Sequence, residues 1–208
     1  METVKAREAF LEPDPRSASF TNIDSQTDRI VPMVLDDMYD MAKHFRVHEG
    51  VPEDVRSYMA SVTTLWLYGW LYYPFYSLAQ FLSTTAIEMA LKERLSQQAG
   101  RKRRGLKHLL RVAKSQGLLR NEEFPWLERA REHEAQLEEE LSEIGIPRPE
   151  SAPTPYVETL IASLPSLRNS WAHPKMHSIM PPGAVVDMMV LAATIINQLW
   201  QDPQAPTP

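Results

Sequence analysis

An all-α fold, an up-and-down bundle of about six or seven helices, is predicted by three features of this 208-residue sequence. Apolar residues recur at three- and four-residue spacing along most of the chain, which gathers them on one face of a helix. Prolines and acidic residues open several of these stretches and glycines close them, as at helix ends. No run alternates apolar and polar residues with the strand period, and no segment repeats. With 43% hydrophobic and 24% charged residues the composition is globular, and the length suits a single domain.

Residues 1–30 read as a flexible N-terminal arm. Glu2, Lys5, Arg7, Glu8 and Glu12 leave no apolar stretch of the kind an export signal needs, and 11–28 mix Pro13, Asp14, Pro15 and serines without a period. One helical domain is expected over 31–201. Its first helix spans Pro32 to Phe45, on the stripe Val34, Met38, Met41 and Phe45. Pro52-Glu53-Asp54 opens a second, with acids at its positive end, running to about Leu71. Pro74 begins a third that reaches about Gln98. Leu106, Leu109, Leu110 and Ala113 mark a fourth between Gly105 and Gly117. Leu127, Ala130, Leu137, Leu141 and Ile144 mark a fifth, closed by Gly145 and Pro147. Tyr156, Val157, Leu160, Ile161, Leu164 and Leu167 form the stripe of a sixth. The seventh, Gly183 to Trp200, is apolar nearly all round and therefore expected to be buried. Residues 202–208, with three prolines, read as a disordered tail.

The absence of cysteine excludes disulfides, a thiol nucleophile and Cys-ligated metal centres, and together with the missing signal points to the cytoplasm. Between Ser57 and Ile87 there is no charge, and nine of the eighteen aromatic residues fall from Tyr58 to Phe81. The length would cross a membrane. Gly69, Pro74, Gln80 and Ser83-Thr84-Thr85 argue instead for two core helices joined near Pro74, with no membrane partner. The density of aromatic rings points to a subunit interface as well as a core.

The net charge of −5 conceals two opposed segments. Residues 101–120 hold eight Lys or Arg and no acid, whereas 121–144 hold nine glutamates against two arginines. Mutual neutralisation of the two is one expectation. The other is contact with a nucleic-acid backbone through Arg101, Lys102, Arg103, Arg104 and Lys107, since clustered cations release the counterions of a polyanion.

Chemistry concentrates in Leu167-Arg168-Asn169-Ser170-Trp171-Ala172-His173-Pro174. On a continuous helix Arg168 and His173 would stand about 140° apart. Pro174 disfavours the α conformation at His173, so the helix is expected to end there and free the imidazole to turn toward Arg168. Asn169 is positioned to orient either group. Histidine exchanges protons near neutral pH and a guanidinium neutralises charge growing on a phosphate, a pairing suited to phosphodiester cleavage by an RNA 2′-hydroxyl. Neither His44/His48 nor His173/His177 completes a metal motif, and no metal or cofactor is expected. The competing expectation is structural, with Arg168 paired to a bundle glutamate such as Glu88 and His173 capping a helix.

The same segment resembles the signature of the HEPN superfamily (higher eukaryotes and prokaryotes nucleotide-binding), in which an Arg followed by a polar residue precedes a His near a helix end. The bare spacing also fits Arg103–His108; the Arg-Asn pair, Ala-His-Pro and the flanking apolar helices single out 168–173. A looser likeness covers the helix around Thr85–Arg94. The resemblance implies a HEPN-type helical bundle acting as a metal-independent endoribonuclease, with a 2′,3′-cyclic phosphate product and a toxin or antiviral defence role. It further implies a homodimer, an RNA substrate and an antitoxin or regulatory protein as partner. Arg168 would stabilise the scissile phosphate, His173 act as general base or acid, and Asn169 orient them. A catalytically inactive module binding a nucleotide, RNA or a protein is the alternative that the superfamily offers. Pro165 departs from a smooth helix, either kinking it or starting a new turn after Ser163.

Overall fold

Most of the expected helices form, and local chemistry sets their limits. A computed structural model describes residues 4–24, 26–96, 105–127, 132, 135, 136, 155–172 and 182–201. Helix α1 is Leu35–Ala42, α2 Glu53–Tyr68, α3 Pro74–Leu95, α4 Leu106–Ser115, α5 Tyr156–Ala172 and α6 Pro182–Trp200. Short 3-10 turns occupy Ser17–Ser19, Lys43–Phe45 and Asn121–Glu123. The helix expected from Leu127 to Ile144 lies almost wholly outside the described residues, as does the tail at 202–208.

Pro74 takes the first turn of α3, where its missing N–H is no loss. Gly117, with φ +69°, closes α4, and the Leu118 N–H reaches back to the Ala113 carbonyl. Helix α1 starts at Leu35, later than the Pro32 expected, because Pro32 ends a strand and Asp37 caps the new helix by accepting the Val34 N–H at 2.8 Å.

The strand is a second departure. Thr21–Asp24 (β1) pairs antiparallel with Arg29–Pro32 (β2), Ile23 facing Ile30, where the sequence read as an aperiodic arm. Both isoleucines are largely exposed, so neither face of this hairpin carries the buried stripe that would write a two-residue period.

Helix α3 is the centre of the bundle, packed chiefly against α6 and α2 and also against α4 and α5. Small residues at Ala79, Ser83, Ala86 and Ala90 are buried there and allow close approach. The buried hydroxyls are satisfied locally: Ser83 donates to the Ala79 carbonyl at 2.7 Å and Thr84 to the Phe81 carbonyl at 2.7 Å. Facing them, α6 buries Val185, Met189, Ala192, Ile195, Ile196 and Leu199. By length and hydropathy α6 could cross a membrane, yet 56% of its apolar window is buried within the bundle. The uncharged stretch divides into α2 and α3, as expected. Its Trp66, Tyr73 and Tyr76 enter an aromatic cluster with Phe45 and Phe20, while Tyr68 remains exposed.

Within the segment read as an arm, Asp14 ties the chain to the α2–α3 turn. It is 3% exposed and accepts from the Tyr73 N–H at 3.0 Å and from Arg16 Nε and Nη2 at 2.8 Å each. Its own N–H and the Ser17 hydroxyl both donate to the Trp70 carbonyl. The Arg16 side chain, with the Tyr73 amide adding to it, holds the Asp14 carboxyl down at about 2, from an ordinary 3.8, against the opposing effect of burial. A depressed folded-state pKa contributes stability above the unfolded value and loses it as pH falls through the folded one. At about 1.4 kcal/mol per unit, the contribution is about 2 kcal/mol at neutral pH. Asp14→Ala should therefore destabilise the protein by about 2–4 kcal/mol at pH 7, since the Tyr73 amide also loses its Asp14 acceptor. Denaturant unfolding should show the difference from wild type shrinking between about pH 4 and pH 2. A difference as large at pH 2 as at pH 7 would exclude the ionised carboxylate as its source.

Candidate functional site

Helix α5 carries the residues singled out for chemistry, and its buried stripe aims them. Val157, Leu160, Ile161 and Leu164 face the core. The Val157 N–H at its start donates to Asn121 Oδ1 at 2.9 Å, and the Thr159 and Ser163 hydroxyls donate to carbonyls one turn back. Pro165 neither ends the helix nor begins a new one: α5 runs through it to Ala172. Having no N–H, Pro165 leaves the Ile161 carbonyl without its usual helical donor.

Arg168 is one-third exposed. Its Nη2 stands 3.4 Å from Glu88 Oε2 on α3, and its Nη1 donates to Asn169 Oδ1 at 3.4 Å. Nε is buried without a hydrogen-bond partner among the described residues. Glu88 is shared, because Lys92 one turn along α3 also reaches it at 2.5 Å. The guanidinium is thus held from one side by long contacts and keeps donors to spare. Asn169 is exposed, and Trp171 packs partly buried against the core. The structure brings Arg168 and Asn169 together and realises the Glu88 pairing expected of a structural arginine. His173 lies outside the described residues.

Of the predicted nucleic-acid contacts, Arg101, Lys102, Arg103 and Arg104 also lie outside them. Lys107 is exposed on the first turn of α4. Its helix presents a wider basic face than the sequence analysis assigned, since Lys107, Arg111 and Lys114 recur at four and three residues and share one side. That spacing was the signal by which Arg111 and Lys114 could have been found. These three line a cleft of about 460 Å³ with Ser115 and with Glu158, Ile161 and Ala162 of α5. Lys114 pairs with Glu158, and through that pair holds the Glu158 carboxyl below its usual range. Arg120 pairs with Glu123 at 2.9 Å, the one described ion pair between the basic and acidic segments. Lys107 and Arg111 have no ion-pair partner among the described residues.

Of the histidine pair in the first half of the chain, His48 has a structural task. The His48 N–H donates to Asn197 Oδ1 at 3.0 Å, and its Nε2 lies 3.2 Å from the Asn197 carbonyl, fastening the loop before α2 to α6. Among the described residues no cluster of three or more potential metal ligands occurs. A concavity of about 550 Å³ between α1, the Lys43–Phe45 turn and α2 also carries cations, of which Lys43 and Arg56 are paired with Asp40 and Glu53 while Arg46 has no ion pair among the described residues.

No family model matches the chain, and neither a curated protein nor a solved structure is significantly similar to it. The likeness of 167–174 to the HEPN signature therefore rests on those residues themselves.

Proposed function

We propose that this chain is a metal-independent endoribonuclease of the HEPN type, acting on RNA as a homodimer in the manner of a toxin or antiviral defence effector. The observation that supports it best is the state of Arg168: one-third exposed, with Nη2 3.4 Å from Glu88 and Nη1 donating to Asn169 at 3.4 Å, contacts that leave further terminal N–H groups unengaged. A planar guanidinium held in this way retains N–H donors for a phosphate oxygen. In the reaction the substrate 2′-oxygen attacks the adjacent phosphorus and the bond from phosphorus to the 5′-oxygen breaks. His173 takes the 2′ proton or supplies one to the departing oxygen, and Arg168 neutralises charge on the non-bridging oxygens. The products are a 2′,3′-cyclic phosphate and a 5′-hydroxyl.

The Glu88–Arg168 pair favours a second reading, a catalytically inactive helical module whose arginine is structural. Incubation of the purified protein with RNA in EDTA separates the two. The first requires cutting with cyclic-phosphate ends that His173→Ala abolishes. Intact RNA with wild type, or equal cutting by the variant, would end it.

A further inference from the structure

The basic face of α4 has a direction. Lys114, at the end of α4, meets Glu158 in the first turn of α5, and Asn121, just beyond α4, bonds to Val157. Since the two helices also pack side by side, they run in opposite senses. Going back along α4 from Lys114 through Arg111 to Lys107, about 10 Å, therefore follows α5 forward from Glu158 toward Arg168. On α5, Asn169 comes eleven residues after Glu158 and returns to within about 20° of the same face. The stripe of cations accordingly points along α5 toward the residue beside Arg168, which lies two turns, about 10 Å, beyond Ala162, the last α5 residue lining the cleft. Glu158 is the one acid in the lining, and it occupies Lys114.

We propose that the α4–α5 cleft is the track for the phosphodiester backbone of a single RNA strand. Lys107, Arg111 and Lys114 are its phosphate contacts, and Glu158 competes with RNA for Lys114. This rests on the ribonuclease reading for the identity of the polyanion. It adds where the strand lies, which side chains hold it and which one opposes it. Three cations and a carboxylate in one cleft make a signed prediction: removing a cation and removing the acid must move affinity in opposite directions.

The test is fluorescence anisotropy with a labelled 2′-O-methyl RNA strand, which lacks the attacking hydroxyl, bound to the full-length protein across a salt series. The double variant Lys107→Ala/Arg111→Ala should bind at least about 10-fold more weakly at low salt. Its slope of log affinity against log salt should fall by about 1.4, about 0.7 for each lost single-strand contact. Glu158→Gln, which releases Lys114, should bind about 3-fold or more tightly. All three positions are exposed or partly so, and unchanged melting temperatures would confirm that the variants fold. Wild-type affinity and salt slope in the double variant, or no gain in Glu158→Gln, would overturn the track. RNA cutting that persists alongside such a result would leave the ribonuclease reading in place. The opposite shifts without any cutting by wild type would uphold the track and reject that reading.

Discussion

Arg168→Ala is expected to lower RNA cutting by about 10²–10³-fold, the usual cost of losing one donor to a charge that develops in the transition state. The same substitution should hardly disturb the fold. Its contact with Glu88 is long at 3.4 Å and partly exposed, and Glu88 keeps Lys92 as a partner. No carboxylate is left uncompensated, so the stability cost should stay below about 1 kcal/mol. In a domain of this size that is a shift in melting temperature of no more than about 4 °C. Arg168→Lys keeps the charge but not the fork, and should cut at an intermediate rate. Single-turnover cutting and thermal unfolding of the same preparations check both halves. If instead Arg168→Ala unfolds the protein several degrees earlier and wild type cuts nothing, the arginine is a structural one, tied to Glu88.

Gly69→Ala should destabilise the protein by about 3 kcal/mol. Two effects oppose each other here. Gly69 has helical backbone angles at the end of α2, where alanine would be favoured by about 1 kcal/mol. But a Cβ at this position would lie 2.5 Å from Cε1 and 2.7 Å from Cδ1 of the Tyr76 ring. That ring is fully buried, and its centroid is 5.4 Å from Tyr73 and 6.3 Å from Trp66. Its hydroxyl donates to Met38 Sδ at 3.6 Å. With neighbours on these sides the ring has no room to withdraw, so the steric effect outweighs the propensity. Denaturant unfolding should show the loss, and in a Tyr76→Leu background the cost of adding the methyl should fall sharply. An equal cost in both backgrounds would place the strain elsewhere.

Much of the architecture is legible in the residue spacing, for a physical reason. A helix that packs on a core must bury one face, and the stripes read for α4 and α5 record that requirement in residue spacing, although Leu167 of the α5 stripe is exposed. Glycine and proline at the ends supplied the limits, although Pro32 misled because a proline that closes a strand looks the same as one that opens a helix. The β1–β2 hairpin was illegible because its strands have four residues each and face solvent on both sides. At the candidate site, Arg168 and Asn169 stood out by their motif, and Glu88 was foreseen as a partner by its place in the bundle. Arg111, Lys114 and Glu158 were not assigned. Their significance comes from the cleft in which α4 and α5 bring them together.

The sequence by itself determined the helical class, the order of the described helices, the buried face of α4 and most of that of α5, because these depend on residues a few positions apart. It also marked Arg168, Asn169 and His173 as the side chains with the most chemistry to offer in a chain without cysteine. Tertiary structure alone decided that Asp14 is an anchor, that position 69 has room for no more than glycine, and that Lys114 is held by an acid of another helix. Those outcomes depend on partners such as Tyr73 for Asp14 and Glu158 for Lys114, 59 and 44 residues away in the chain. Packing brings such pairs within hydrogen-bonding range, and no local periodicity encodes them.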